Sequence, residues 1–250
     1  MLSFKHIAIN TTLLSLFCTP VFAADDSQEI DASDLTRANS TLMFQASNDG
    51  DLKASGSLSL NHANGQSSMV TLEGTMDKEG DYKDSRLQLF QVFNLDSKVS
   101  PRIAASLDFI DNKQFSTAAL GAISIFKTPM DSLTFYGRAA VMGGEYSDST
   151  TKAFNVSDSS IVGGMGAIYG VWQTGEDGTY LALYPEYDYL DGDITTETVK
   201  TTFQIATPLS QDKRHWGQIK VENTHGSMSS ASINQDINDT VVWFVYKAFL

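Results

Sequence analysis

Leu52-Lys53-Ala54-Ser55-Gly56-Ser57-Leu58-Ser59-Leu60 alternates without a break between apolar or small residues and polar ones. A period of two places Leu52, Ala54, Gly56, Leu58 and Leu60 on one face of a strand, and Lys53, Ser55, Ser57 and Ser59 on the other. The same alternation recurs along the chain. Ile103, Ala105, Leu107 and Phe109 oppose Arg102, Ser106 and Asp108, and Leu133, Phe135, Gly137, Ala139 and Val141 oppose Thr134, Tyr136 and Arg138. Leu181, Leu183, Tyr187 and Tyr189 oppose Tyr180, Tyr184, Glu186 and Asp188, and Val199, Thr201, Phe203 and Ile205 oppose Lys200, Thr202 and Gln204.

About twelve such segments can be read: 39–48, 52–62, 66–76, 84–95, 101–111, 114–126, 132–146, 159–172, 179–190, 194–206, 214–224 and 239–250. Ten strands is the alternative count. Most reach the roughly 9 to 11 residues that a tilted strand needs to cross a bilayer. No stretch has useful helical periodicity, so the pattern predicts an all-β, antiparallel, up-and-down transmembrane barrel over 39–250.

The N-terminus reads as an export signal. Lys5 and His6 precede a short apolar stretch, Ile7–Phe17, and Val21-Phe22-Ala23 supplies the residues a signal peptidase reads, which places cleavage between Ala23 and Ala24. A lipid-bearing Cys18 is disfavoured by bulky Phe17 just before it. Cleavage there removes the only cysteine, which excludes a disulfide scaffold and any cysteine-ligated metal from the mature chain. A net charge of −13 and a pI near 4.5 argue against nucleic-acid binding. A mean hydropathy of −0.16 suits a barrel in which alternate residues face lipid.

Residues 24–38 are acidic and aperiodic, and read as a periplasmic tail or a short plug. If the first strand runs outward, the periplasmic turns are Ala63-Asn64-Gly65, Ser97–Pro101, Thr128–Asp131, Thr174–Gly178 and Thr207–Arg214. The longest outer loops are then expected at Glu145–Ser157 and His225–Asn238, both rich in Ser, Asp, Asn and Thr.

Val242, Phe244, Tyr246, Ala248 and Leu250 form an apolar face that runs to the last residue. This resembles the terminal strand of bacterial outer-membrane barrels, whose alternating positions are read by the barrel assembly machinery, although that pattern usually ends in Phe or Trp. The resemblance implies outer-membrane localisation, with lipid and lipopolysaccharide as surroundings. A soluble periplasmic sandwich is the competing fold. It is disfavoured because Gly121, Gly137, Gly163, Ala139 and Ala167 stand where a packed core would want Leu, Ile and Val.

The inward faces are expected to carry Lys53, Arg86, Arg102, Asp108, Arg138, Tyr184, Glu186, Lys200, Lys220 and Glu222, with Asp188. These charges serve equally a polar channel, with small polar or charged solutes as cargo, and a barrel sealed by salt bridges. Tyr180, Tyr184 and Trp216 are candidate sugar-stacking groups. Asp77–Asp81 and Asp188–Asp193 are acidic enough to attract a hard cation, but their spacing matches no calcium loop. No cofactor is expected.

His225-Gly226-Ser227, followed by Asp239, resembles the His, Ser and acidic residue of lipid A 3-O-deacylases. The resemblance is confined to the last hairpin. It implies an outer-leaflet hydrolase in which His225 takes the Ser227 proton. That family is eight-stranded, with Asn and Glu where this chain has Met228 and Asp239, and strand parity turns Asp239 inward. The leading expectation is therefore a non-enzymatic porin-like channel, with the hydrolase and a closed structural or surface-interaction barrel as alternatives.

Overall fold

The computed structural model describes residues 30–250. The export-signal reading, Cys18 and the Ala23/Ala24 cleavage site lie outside the described residues. Twelve strands follow in chain order: β1 (Thr41–Ser47), β2 (Leu52–Asn61), β3 (Ser67–Met76), β4 (Tyr82–Asn94), β5 (Arg102–Asn112), β6 (Phe115–Lys127), β7 (Leu133–Tyr146), β8 (Ser160–Gln173), β9 (Tyr180–Asp191), β10 (Thr195–Pro208), β11 (His215–Ser229) and β12 (Asn234–Phe249). A short helix, α1 (Asp148–Ala153), lies between β7 and β8. Every strand pairs antiparallel with its chain neighbours, and β1 closes on β12 from Thr41↔Phe249 to Ser47↔Trp243. Closure leaves no edge strand, so every ladder has a partner.

The alternation sorts the two faces as a lipid-embedded barrel requires. Leu58, Leu72, Leu120, Val141, Ile168 and Phe244 all point outward and are exposed, which only a hydrocarbon surrounding makes favourable. At Pro185 the β8–β9 ladder lapses between Ala167↔Glu186 and Gly170↔Leu183, because proline has no N–H to give. The register resumes unshifted, so no side chain changes face.

Two corners depend on glycine. The turns around Gly65 and Gly80 place these residues at φ of 79° and 86°, where a side chain would be strained. In each, the glycine N–H donates to the carbonyl three residues before it, Gly65 to His62 and Gly80 to Asp77, which makes a tight three-residue hairpin. Between β3 and β4 the register shifts at Thr75/Met76, leaving Lys83 as the extra residue of a bulge. The bulge re-aims Lys83 to the Asp51 carboxylate inside the barrel.

The loop end, opposite the start of β1 and Leu250, corrects the sequence reading. His225–Asn238 is not a long loop: β11 runs to Ser229, β12 starts at Asn234, and four residues join them. Its polar residues sit on strands that continue past the apolar belt, where hydropathy alternation fades but the ladder does not. Only Ser147–Ser159 is a long connection. Its helix is capped by Ser147, whose hydroxyl accepts from the Thr150 N–H.

Candidate functional site: the barrel interior

Three layers stack inside the barrel. At the loop end Tyr146, Phe154, Ile161, Leu190, Ile194 and Met228 form an apolar cluster, with Phe154 brought in by the connection that follows α1. The Phe154 carbonyl accepts from the Ser230 hydroxyl at 3.1 Å, so this connection reaches from β7–β8 to the β11–β12 turn and roofs part of the mouth.

The middle layer is ionic. Arg86 Nε donates to Asp108 at 2.7 Å, and Gln88 donates to the same carboxylate oxygen at 2.9 Å. Glu186 collects Lys200 at 2.7 Å, the Tyr169 hydroxyl at 2.9 Å and Arg138 at 3.6 Å. Lys53 meets Glu73 at 3.4 Å, with its ammonium 5.5 Å from the Trp243 ring. The Trp243 indole in turn donates to Glu222 at 3.0 Å. Lys220 and Lys247 make no ion pair among the described residues. Lys247 lies 4.7 Å from the Phe249 ring. Lys53, Lys247, Lys220 and Lys200 therefore form a basic wall across β2, β12, β11 and β10, facing the mixed charges of β4–β9.

At the terminal end the interior is apolar and filled. Ile125, Ala104, Ala206, Val171, Tyr136, Tyr180 and Trp216 are buried, and Ile30, Ala32, Leu35 and Ala38 of the segment before β1 pack against them. The Tyr136 and Tyr180 hydroxyls donate to the carbonyls of Ser33 and Ala32, at 3.1 and 3.4 Å. Gln173 donates to the Ser33 hydroxyl at 2.9 Å. Arg102 donates to Asp34 through its guanidinium and to the Thr36 hydroxyl at 3.1 Å.

The residues named from alternation thus fall into two groups. Lys53, Arg86, Asp108, Arg138, Tyr184, Glu186, Lys200, Lys220 and Glu222 stand on inward faces in or beside the ionic layer, whereas Arg102 lies deeper, under the N-terminal segment. Trp216 and Tyr180 are corrected. Trp216 is 1% exposed beneath that segment with its indole donating to the Lys213 carbonyl, and Tyr180 is 2% exposed, so neither offers a ring to a sugar. Tyr184 packs edge-on to Tyr169, their ring centres 5.1 Å apart. Sequence reasoning missed the partners of Arg102 because they come from a stretch with no periodicity. The signal was there as a repeat, Asp31-Ala-Ser33 then Asp34-Leu-Thr36, in which each aspartate caps the N–H and hydroxyl two residues on.

His225 and Ser227 point to the lipid side, opposite Asn238 and Asp236, while Asp239 lies on the inner face opposite Thr224. The His225–Ser227–Asp239 grouping of the alternative hydrolase reading does not assemble: His225 pairs with Asn238, so Asp239 leaves the opposite face, as strand parity predicts. Among the described residues no set of three or more His, Cys, Asp or Glu side chains is arranged to hold a metal ion. Asp77 instead accepts from Lys113 at 3.1 Å and from the Asp81 N–H at 2.8 Å.

No protein-family model and no curated protein matches the chain. Solved structures do. The KdgM porin covers 84% of this chain and 98% of its own, at 10% identity and a TM-score of 0.51. The KdgM porin in complex with disordered oligogalacturonate gives 0.52 at 10% identity, over 83% and 98%. The NanC porin gives 0.55 at 7% identity, over 84% and 99%. The fold is that of the KdgM and NanC porins. An identity this low speaks to architecture alone, and the eight-stranded deacylase architecture finds no support in it.

Proposed function

We propose that the chain is an outer-membrane channel for small polar or charged solutes, oriented with its terminal end toward the periplasm. The observation that carries this is the ionic middle layer. Paired charges suit a sealed barrel as well as a channel, so within it the weight falls on Lys220 and Lys247, which make no ion pair within 4 Å among the described residues and remain to meet an anion. The porin neighbours, one of them in complex with oligogalacturonate, support the same reading. Discrete conductance steps in a planar bilayer test it, measured on the whole protein and on a form lacking residues 30–38. Silence from both forms rejects the channel.

A second reading, a closed barrel that only presents its loops, is favoured by the filled terminal end. It expects no solute flux from either form, in bilayers or in liposome swelling.

A further inference from the structure

We propose that Ile30–Ala38 is a built-in plug that holds the terminal mouth of the channel closed, latched by Asp34 on Arg102. The inference rests on the channel reading and adds a closed state to it.

The segment is constructed to seat rather than trail. Its two tandem aspartate-capped turns satisfy their own N–H and hydroxyl groups at 2.6 to 3.1 Å, so it holds its shape without a helix or a ladder. That leaves Ala32 and Leu35 free to enter the apolar end of the barrel, and the carbonyls of Ala32 and Ser33 to meet the two buried tyrosines. Asp34 is 3% exposed at its side chain and faces the Arg102 guanidinium. Asp34 also meets Arg37 of its own segment at 3.4 Å, so Arg102 is the partner that fixes this carboxylate to the barrel wall and defines the seated position.

The barrel wall is equally shaped for it. The inward face of this end carries the buried apolar and aromatic side chains of Ile125, Val171, Tyr136, Tyr180 and Trp216, unlike that of the ionic layer. Trp216 and Tyr136 would border an aqueous path if the segment left. Ser40 marks the pivot: its carbonyl accepts the Leu250 N–H at 3.0 Å and its hydroxyl meets Ser59 at 3.1 Å. The chain is thus tied to the barrel at residue 40, while residues 30–38 enter no strand ladder among the described residues. Swinging those nine residues out breaks no strand pairing.

Single-channel recording of protein purified from membranes tests this. Deletion of residues 30–38, or Arg102→Ala, should raise the open population about tenfold or more, the scale on which losing one buried charge pair moves a two-state balance. Arg102→Lys, which keeps a cation facing Asp34 and leaves the Asp34 cap on Thr36 intact, should stay near the closed level. Seating is read separately with Ala32→Cys on a Cys18→Ser background. A soluble maleimide should label that cysteine slowly in the parent and quickly when Arg102→Ala is added. Fast labelling in the parent overturns the plug. Equal conductance with and without the segment overturns it while leaving the channel intact. If the cysteine is protected yet neither form conducts, the channel reading fails and the gate with it.

Discussion

The Arg102 guanidinium donates to the Asp34 carboxylate across 68 residues of sequence, joining the stretch before the first strand to the start of the fifth. One end of the interior is thereby apolar and full while the middle remains charged, and the behaviour of the barrel depends on that difference.

The Arg86–Asp108 pair supports the middle layer. Asp108 is 2% exposed and receives Arg86 and Gln88 together, so Asp108→Ala leaves the half-buried Arg86 guanidinium without its counter-charge. A loss of about 3 kcal/mol is expected. Reversible urea unfolding in lipid vesicles measures it, and Arg86→Met combined with Asp108→Leu should recover most of the loss.

Leu120 lies mid-strand on the outer face, 61% exposed. Leu120→Arg should cost about 2 to 4 kcal/mol, as for a charge near the bilayer midplane. The same unfolding experiment reads it. A cost near zero would mean that this face meets water.

Two glycines separate crowding from composition. A Cβ on Gly163 would sit 2.0 Å from the Tyr189 carbonyl oxygen, whereas one on Gly74 meets nothing within 4 Å. Gly163→Ala should therefore destabilise the barrel by about 1 to 3 kcal/mol, and Gly74→Ala should be neutral. Gel migration without boiling distinguishes them, since only the first should lose its folded band at a lower temperature.

Lys220 and Lys247 set the sign of the interior wall. Lys220→Gln and Lys247→Gln, made in the form lacking residues 30–38, should each move the reversal potential in a salt gradient toward cation preference. Lys220→Glu should move it further.

Four turn aspartates give a pH dependence. Asp77, Asp158 and Asp177 are held below the usual carboxylate range first by backbone N–H donors, from Asp81, Ser160 and Thr179. Asp212 is lowered first by the Ser210 hydroxyl. Because the folded values are depressed, the turn bonds are fully present above the unfolded aspartate value, about 4, and are lost as pH falls through the lower folded values. Amide exchange at Thr179 and Arg214 should speed up in that acid window, and Asp177→Asn should remove the pH dependence at Thr179.

The strands were legible because each has a buried and an exposed face, and a period of two needs no partner to be seen. The boundaries of ten segments fall within two residues of the ladders, whereas the last five residues of β11 and the first five of β12 read as loop. The last hairpin escaped because Asn223, Asn238 and Thr240 lie outward where lipid gives way to water, so polarity there carries no information about pairing. Trp216 and Tyr180 were read by residue type, which cannot distinguish a ring at an open mouth from one beneath a plug.

Alternation along the chain by itself determined about twelve strand segments and which side chains share a face, and with the terminal strand it favoured an antiparallel barrel, because these follow from local geometry and the contrast between lipid and water. Whether the interior is open could only be decided by the tertiary structure. Closure brings together Arg102 and Asp34, Glu186 and Lys200, and leaves Lys220 with no ion pair within 4 Å among the described residues. Such pairings depend on register across strands distant in sequence and on where an aperiodic segment comes to rest, and neither leaves a period to read.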